Sequence, residues 1–476
     1  MSLLRLKPLA GVIAAMAVWL SGCAHFEPRP LSPAQAAADF ESRSLDHPGL
    51  KHFLEKNLKR EMAEWPARSW DFKALTFAAF YFHPSLDVAR AQWGVAKAGE
   101  ITAGARPNPT VSVGPQYTVN AARGVSPWLA TVDFDIPIET AGKRGYRIAR
   151  AKHESAAARL NLAMVAWQVR SHLRAALLDF GSADRREKLL RQQIGVQESA
   201  LQRMEQKLAA GAVASPEVLP LRIALQKSRL DLAEAVRQQA DARARVADAI
   251  GVPLSALASV ELPALPVKLP ANVSALTSSG ARGMALTNRA DILAALADYA
   301  ASQSSLQLQI AKQYPDLHLG PGYEYDQGEN KWGLKLSAEL PLLNRNEGPI
   351  AEAQARREES AARFTALQAR VLSEIDRALT AMHAIEQQLG NLDSLQATQR
   401  QQQQSLQKQL EAGAVEPLDL LSAQVEISAG ELARHDAQVK RQQALGQLED
   451  ALQLPLDFVE TALLEQNHRA NQESLP

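Results

Sequence analysis

The feature that most constrains the fold is an internal repeat, in which short motifs recur in the same order 202 to 206 residues apart. Residues 109–117 (PTVSVGPQY) return as 315–323 (PDLHLGPGY), an offset of 206. Three further motifs follow the same rule: 135–138 returns as 339–342, 210–213 as 412–415, and 252–254 as 454–456. Because all four keep their order, the chain consists of two copies of one structural unit.

Each copy contains the same series of predicted elements. A helix comes first, then two strands of about ten residues, which is the length of a tilted membrane strand. A long helix follows, then a sharp turn and a returning helix. In the first copy (71–260) the helix, strands and long helix are predicted at 72–105, 110–119, 128–138 and 145–210. In the second copy (281–458) they are predicted at 281–312, 316–326, 332–342 and 349–412.

The paired long helices have coiled-coil spacing, with alternating steps of three and four residues. The stripe is narrow and contains Ser, Gln and His, while the other faces are polar. This favours helices in the wall of a tube over helices in a compact core. The stripes are Val218, Leu221, Leu225, Ser228, Leu232, Ala235, Gln239, Ala242, Val246 and Ala249; Leu190, Ile194, Gln197, Leu201, Met204 and Leu208; and Leu418, Leu421, Val425, Ser428, Leu432, His435 and Val439.

The N-terminus is typical of an exported lipoprotein. Two basic residues precede a short apolar run, and residues 20–23 (LSGC) resemble a bacterial lipobox. We therefore predict a signal peptide at 1–22 and a lipid on Cys23, the single cysteine. The apolar run is too short to span a bilayer comfortably. The other predicted segments are an extended region at 23–70, a Pro-rich linker at 261–280 and a disordered tail at 459–476.

Four membrane-length strands per chain require association. The edge N–H and C=O groups of an open sheet have no partners in hydrocarbon, and four strands are too few to close a barrel. Three copies give twelve strands, an even number that can close. The predicted fold is therefore mainly α, with long helical hairpins forming a periplasmic α-barrel and four strands per chain contributing to a 12-stranded trimeric barrel.

Composition and motifs argue against other classes. Lys plus Arg and Asp plus Glu both number 52, so nothing indicates a nucleic-acid partner. Ten histidines lack metal-ligand spacing, and no catalytic or nucleotide-binding motif is present, so we expect neither an enzyme, a metal site nor a cofactor. A structural coiled-coil lipoprotein that tethers the outer membrane is an alternative, but it explains neither the strands nor the duplication.

The ordered set of motifs resembles the TolC family of outer-membrane efflux proteins. The resemblance includes the Pro107-Asn108-Pro109 sequence that opens the first strand, the Gly-containing helix turns and the two-fold repeat. It implies a homotrimeric exit duct in the outer membrane that works with a periplasmic adaptor protein and an inner-membrane pump. Residues 137–147 further resemble the heavy-metal, CzcC-like branch. A duct for drugs or other organic solutes is the alternative within the family.

The sharp turns yield two site predictions, each with a simpler alternative. Gly211 with Val213, and Gly413 with Val415, expose backbone where an adaptor helix could approach closely; the alternative is an ordinary helix C-cap. In the TolC family, acidic residues that line the periplasmic constriction occupy the positions of Glu217 and Asp419. The resemblance therefore implies a gate there, while acids in a first helical turn also stabilise the helix dipole.

A basic turn follows the second strand and contains Lys143, Arg144 and Arg147. These residues lie just below the predicted membrane strands, so they could contact lipid headgroups or line the duct. A solvated basic turn is the alternative, and the sequence does not decide between them.

Overall fold

The computed structural model describes residues 26–62, 64–67, 69–265 and 278–456. The predicted signal peptide, Cys23, most of the linker and the C-terminal tail lie outside these ranges. The chain forms two units, and the boundary follows Ser44. The described part of the first unit holds helix α1 (Pro33–Glu41), whose N-cap Ser32 accepts a hydrogen bond from the Gln35 N–H at 3.3 Å.

The described part of the second unit repeats one order of elements twice, apart from a short helix at its start and a 3₁₀ turn after α6. In chain order its elements are α2 (Pro48–Leu58), α3 (Phe72–Phe82), α4 (Pro84–Gly104), β1 (Thr110–Tyr117), β2 (Trp128–Ile138), α5 (Lys143–Ala209), α6 (Ser215–Ile250), the 3₁₀ turn (Leu254–Leu257), α7 (Ser278–Asn288), α8 (Ala290–Ala311), β3 (Leu317–Asp326), β4 (Glu329–Ala338), α9 (Glu347–Glu411) and α10 (Pro417–Leu452).

The segment predicted to be extended, 23–70, contains two helices, α1 and α2, so that prediction is wrong in part. Both helices begin with proline directly after a capping side chain, Ser32 or His47. Proline suits the first helical position because its missing N–H would have had no intrahelical partner. Proline in this segment therefore starts helices and does not indicate an extended chain.

The first predicted helix of each copy is also wrong in one respect, because each is two helices. The break in the first copy is at His83, whose backbone is extended because Pro84 disfavours the helical conformation at the preceding residue. The break in the second copy is at Arg289, which lies 206 residues later and is also extended. Only the first break has a proline to reveal it, so the duplication was the usable signal for the second.

The two long helices form the centre of the second unit. α5 has 67 residues and α9 has 65, which corresponds to roughly 100 Å each at 1.5 Å per residue. At the sheet end, α5 lies between α4 and α8, and α9 packs beside α8. At the other end α5 lies between α6 and α10, with α9 beside α10. The wall is therefore one helix thick, as the narrow apolar stripes predict.

Each copy has its own small hydrophobic core where its returning helix ends. Leu75, Leu173 and Ile250 are fully buried in the first, and Ile375, Leu448 and Leu452 in the second. A buried ion group joins the two copies: the Glu449 carboxylate lies 3.1 Å from the Arg170 guanidinium and 3.3 Å from that of Arg174. Removing one partner of such a group costs much more than an exposed pair contributes.

The strands form one antiparallel sheet in the order β1-β2-β3-β4. The prediction for the fourth strand was wrong in its limits: β4 begins at Glu329 rather than 332 and ends at Ala338 rather than 342. Its start is early because Gln327 and Gly328 have φ of 47° and 114°, the conformation of a two-residue hairpin turn. Of the five residues between the two predicted strands, 327–331, only Gln327 and Gly328 form the turn, and the other three belong to β4.

Candidate functional site

One face of the four-stranded sheet is apolar across all four strands. The register aligns Val113 with Val132, Val132 with Tyr323, and Tyr323 with Trp332, so these side chains share a face. The Trp332 side chain is 81% exposed although it is large and apolar. The remaining larger apolar side chains of this face are Val111, Tyr117, Trp128, Phe134, Ile136, Ile138, Leu317, Leu319, Tyr325, Leu334 and Leu336.

The opposite face is polar and charged. The His318 imidazole lies 2.9 Å from the Asp135 carboxylate, and Lys331 forms an ion pair with Asp326 at 2.5 Å. The other charged side chains of this face are Asp133, Glu324, Glu329 and Lys335. A sheet with one lipid-compatible and one water-compatible face is what the wall of a membrane barrel needs. The individual polar residues were missed, although period-two alternation in the strands could have identified them.

Aromatic pairs mark one end of the apolar face. The Tyr117 and Trp128 ring centroids are 5.0 Å apart, and those of Tyr323 and Trp332 are 4.9 Å apart. Both pairs lie toward the strand ends that carry the hairpin turns. Tyr and Trp concentrate at membrane–water boundaries because one end of each ring system is polar. The band therefore fits the outer boundary of a hydrocarbon layer.

The basic turn after β2 is solvated only in part, because Lys143 is buried while Arg144 and Arg147 are half-buried. Lys143 is 6% exposed and its amine donates to the Tyr314 carbonyl and the Asp316 carboxylate, both at 2.7 Å. Burial raises the pKa of Asp316, but the hydrogen bonds from Lys143 and the Thr140 N–H, together with the charges of Lys143 and His318, lower it by more, so its pKa is below the usual value. Lys143 thus fastens the start of α5 to the segment that leads into β3.

The two arginines of the turn donate hydrogen bonds to carbonyl groups at the C-terminal end of α4. The Arg144 Nε donates to the Gly104 carbonyl at 2.8 Å, and the Arg147 Nη2 to the Ala105 carbonyl at 3.1 Å. Arg147 also forms an ion pair with Glu139, whose hydrogen bond raises the pKa of the guanidinium. Cations at a helix C-terminus satisfy carbonyls that lack intrahelical partners. With these donors engaged inside the protein, the basic turn is a junction between strands and helices.

Both tip glycines have left-handed backbone, with φ of 69° at Gly211 and 71° at Gly413. The next residue in each turn donates its N–H back to the preceding helix: Ala212 to the Lys207 carbonyl at 2.9 Å, and Ala414 to the Gln409 carbonyl at 2.8 Å. These bonds define a Schellman C-cap, so the simpler role is present at both tips. A Cβ added at either glycine would meet no atom within 4 Å, so both turns are open to an approaching partner.

The two acids after the tips cap the returning helices. The Glu217 carboxylate accepts from the Ala214 N–H at 2.8 Å, and the Asp419 carboxylate accepts from the Glu416 N–H at 3.0 Å. Both side chains are exposed. An ion pair that the sequence did not indicate, Lys207 with Glu416, connects the tip of the first hairpin to that of the second. The tip therefore combines helix caps with one bond between copies.

Two features are absent from the described ranges. No helix there is both long and apolar enough to cross a membrane. No group of three or more His, Cys, Asp or Glu side chains there could hold a metal ion.

Comparison with known proteins decides the family. Residues 82–252 and 281–452, one stretch from each copy, both match the outer membrane efflux protein family. The chain belongs to this family. The match covers more than half of the chain, confirms the resemblance to TolC-type proteins, and splits at the duplication. Members of this family are outer-membrane ducts and not enzymes, and they need no cofactor.

One curated relative and two solved structures illustrate the similarity. The chain is 24% identical over 274 residues to the cobalt-zinc-cadmium resistance protein CzcC of Cupriavidus metallidurans, a match that spans 56% of this chain and 62% of that protein. The outer-membrane channel OprN is 20% identical with a TM-score of 0.66, covering 90% of this chain and 98% of OprN. VceC of Vibrio cholerae is also 20% identical with a TM-score of 0.66, covering 81% and 97%. These structures support the predicted fold class.

The two faces of the sheet predict opposite responses to a new charge. Leu336→Lys places an amine on the apolar face and should cost about 2–4 kcal/mol in the membrane, enough to reduce assembled protein strongly. Ser337→Lys, one residue away on the polar face, should assemble like the wild type. The measurement is the amount of oligomer in the outer-membrane fraction on unheated gels. Equal assembly of the two variants would contradict the assignment of faces.

Proposed function

We propose that three copies of this chain form one duct through the outer membrane and periplasm, which exports solutes delivered by a periplasmic adaptor and an inner-membrane pump. The observation that carries the proposal is the two-faced sheet of membrane-length strands, whose outer edges, on β1 and β4, pair with no other described strand. Three copies would give the twelve strands of a closed barrel. The helices, roughly 100 Å long, would extend that duct into the periplasm.

Heavy-metal cations are the proposed cargo. The similarity to CzcC, a cobalt-zinc-cadmium resistance protein, supports this class. The polar face of the sheet adds a physical argument, because five carboxylates there outnumber two lysines and one histidine: Asp133, Asp135, Glu324, Asp326 and Glu329 against Lys331, Lys335 and His318. A negative lining concentrates cations in a narrow passage. A duct for organic solutes is the second candidate, since that use shares the architecture.

Growth assays on the native host separate the two cargoes. Deleting the gene should lower the tolerated concentration of Co²⁺, Zn²⁺ or Cd²⁺, and the wild-type gene should restore it. Tolerance to detergents, dyes and antibiotics should not change. If only the organic compounds become more toxic, the metal proposal fails and the organic-solute duct is favoured. An immunoblot of the outer membrane checks that the protein is absent from the deletion strain and present in the restored strain.

Acylation of Cys23 is part of the proposal and is supported by the lipobox at 20–23. Mass spectrometry of the mature N-terminus should find Cys23 as the first residue with its lipid attached. Cys23→Ala should weaken anchoring, although the strands can still insert some of the protein. An unmodified cysteine at the mature N-terminus would remove this part of the proposal and leave the duct intact.

The two tips are proposed as docking points for the adaptor. The turns at Gly211 and Gly413 are exposed, and Val213 and Val415 beside them are half-buried, so a partner helix would meet open backbone beside a small apolar surface. Docking of this kind is compatible with the C-cap role.

Substituting the tip glycines with a bulky residue tests the docking proposal. Gly211→Trp combined with Gly413→Trp should abolish crosslinking to the adaptor while trimers still form. Because both glycines have positive φ, Gly211→Asn with Gly413→Asn is the matched control: asparagine tolerates this backbone and is much smaller. Normal crosslinking of the Trp variant would reject docking at the tips. Loss in the Asn control would point to backbone strain instead.

The acids at Glu217 and Asp419 are proposed to ring the periplasmic mouth of the duct. In a trimer there would be three copies of each, and both carboxylates are exposed beyond their capping bonds. The exposed position supports the proposal, since a capping carboxylate still has free oxygen lone pairs. Such a ring would favour cations over anions at the entrance.

Single-channel recording in a planar bilayer tests the ring. Glu217→Ala with Asp419→Ala should weaken cation selectivity and relieve block by divalent ions added on the periplasmic side. Both substitutions also remove a cap, which costs about 1 kcal/mol per helix. Glu217→Gln with Asp419→Asn therefore serves as the matched variant, because it removes the charge and keeps an acceptor. Selectivity and block equal to wild type in both variants would leave these acids as helix caps only.

A further inference from the structure

The internal repeat contains the residue-by-residue geometry of the seam between copies. We propose that β4 of one chain of the trimer pairs antiparallel with β1 of the neighbouring chain, with Ser337 opposite Gln116 and Leu340 opposite Val113. This inference rests on the proposed trimer and goes further, because it fixes which residues meet. The register follows when the pairing of β2 with β3 within one chain is applied to the equivalent strands, β4 and β1, of two neighbouring chains.

The transfer can be checked within the chain. The repeat relates β1 to β3 by an offset of 206 residues and β2 to β4 by an offset of 204. Tyr117 pairs with Trp128 in the first hairpin, so the offsets require Tyr323 to pair with Trp332 in the second, as observed. The pair Val113 and Val132 transfers correctly to Leu319 and Leu336. The two hairpins therefore share one register.

The same offsets applied to the β2–β3 pairing give the seam. Within the chain, Asp133 lies opposite Gly322 and Ile136 lies opposite Leu319. Advancing the β2 residue by 204 and moving the β3 residue back by 206 turns these pairs into Ser337 with Gln116 and Leu340 with Val113 of the neighbouring copy. The pair Ile138 and Leu317 likewise becomes Leu342 with Val111.

The chemistry of the paired side chains agrees with this register. Apart from Pro341, which would lie opposite Ser112 on the polar face, the transferred pairs keep apolar side chains on the apolar face and polar ones on the other, and a slip by one residue would reverse this. The register also explains why Leu340 and Leu342 are 67% and 74% exposed beyond the end of β4 at Ala338. Their equivalents in β2, Ile136 and Ile138, are paired with β3. Contact with the neighbouring β1 would extend β4 to 342, the limit that the sequence predicts.

The junction below the strands transfers as well, with its charge reversed. Within the chain, Lys143 and Lys312 line one cavity of about 720 Å³ between α5 and the end of α8. Their equivalents at the seam are Glu347 on one chain and Arg106 on the neighbouring chain. Among the described residues, neither Glu347 nor Arg106 has an ion-pair partner. Glu347 thus occupies, in the second repeat, the position that Lys143 has in the first, and it would face Arg106 of the neighbouring chain.

Disulfide formation between chains tests the register. Ser337→Cys with Gln116→Cys places two thiols opposite each other on the water-facing side, where Cβ atoms are about 5 Å apart. The controls combine Ser337→Cys with Thr118→Cys or with Ser112→Cys, which shift the pair by two or four residues. Diagonal neighbours lie about 7–8 Å apart, so mild oxidation should give roughly tenfold less crosslinked dimer and trimer in the controls. The wild type and each single substitution should give none.

Each outcome is decisive because two further readouts accompany it. Ser112→Cys with Asp133→Cys, which are opposed within one chain, must form an intrachain disulfide and so shows that the oxidant reaches the sheet. Unheated gels report the trimer separately. If unheated gels show the trimer, but crosslinking is strongest in a shifted pair or absent from all interchain pairs, the register is overturned and the trimer is not. Absence of any trimer, including in the wild type, would overturn the proposed function.

Charge reversal tests the junction independently. Arg106→Glu or Glu347→Arg alone should lower the temperature at which the trimer dissociates, because like charges would then meet at the seam. Combining the two should restore most of it. Arg345→Glu, an exposed charge in the same segment, is the matched control for a change in net charge. A double variant no better than the worse single variant would rule out the pair.

Discussion

A backbone N–H or C=O group in hydrocarbon must have a hydrogen-bond partner, and the four strands of this chain leave two edges without one. The chain cannot remove them by pairing β1 with its own β4, since a four-stranded sheet is too small to close into a barrel. Other features depend on this constraint. The apolar face of the sheet has no cover within the described chain, the leucines beyond β4 are exposed, and the helical wall is one layer thick, so that its other sides would face water or neighbouring chains in the proposed trimer.

The long helices can continue the sheet as one duct only if the helices and the strands are rigidly joined. The basic turn after β2 provides this connection in the first copy: one lysine binds the segment entering β3, and two arginines bind the carbonyl end of α4. In the second copy Asn346 has the equivalent position of Gly142 and its amide donates to the Gln309 carbonyl at 2.7 Å. The same task is therefore performed by different side chains, which is the freedom that duplication allows.

Most of the fold was accessible from the sequence, because the repeat, the helical stripes and the strand lengths are all periodic signals. Local conformation was less accessible. The break at Arg289 carries no proline, and the turn at Gln327 is short because two residues take positive φ, which composition does not reveal for glutamine. At the tips, the caps formed by Glu217 and Asp419 were foreseeable from the first-turn position of these acids. The ion pair of Lys207 with Glu416 was not, because it joins residues 209 apart whose proximity depends on the packing of two hairpins.

The two copies of the repeat have diverged without losing their common backbone, and this affects how a lining can change. In the proposed trimer six nearly equivalent repeats surround the axis, and a given codon specifies a side chain in only three of them. A substitution in β1 or α5 would place three new side chains around the duct and leave the three intervening positions, in β3 or α9, as they were. A carboxylate can thus alternate with a neutral group around one ring, as Asp133 would with its equivalent Ser337. A sixfold assembly of single repeats could not form such an alternating ring.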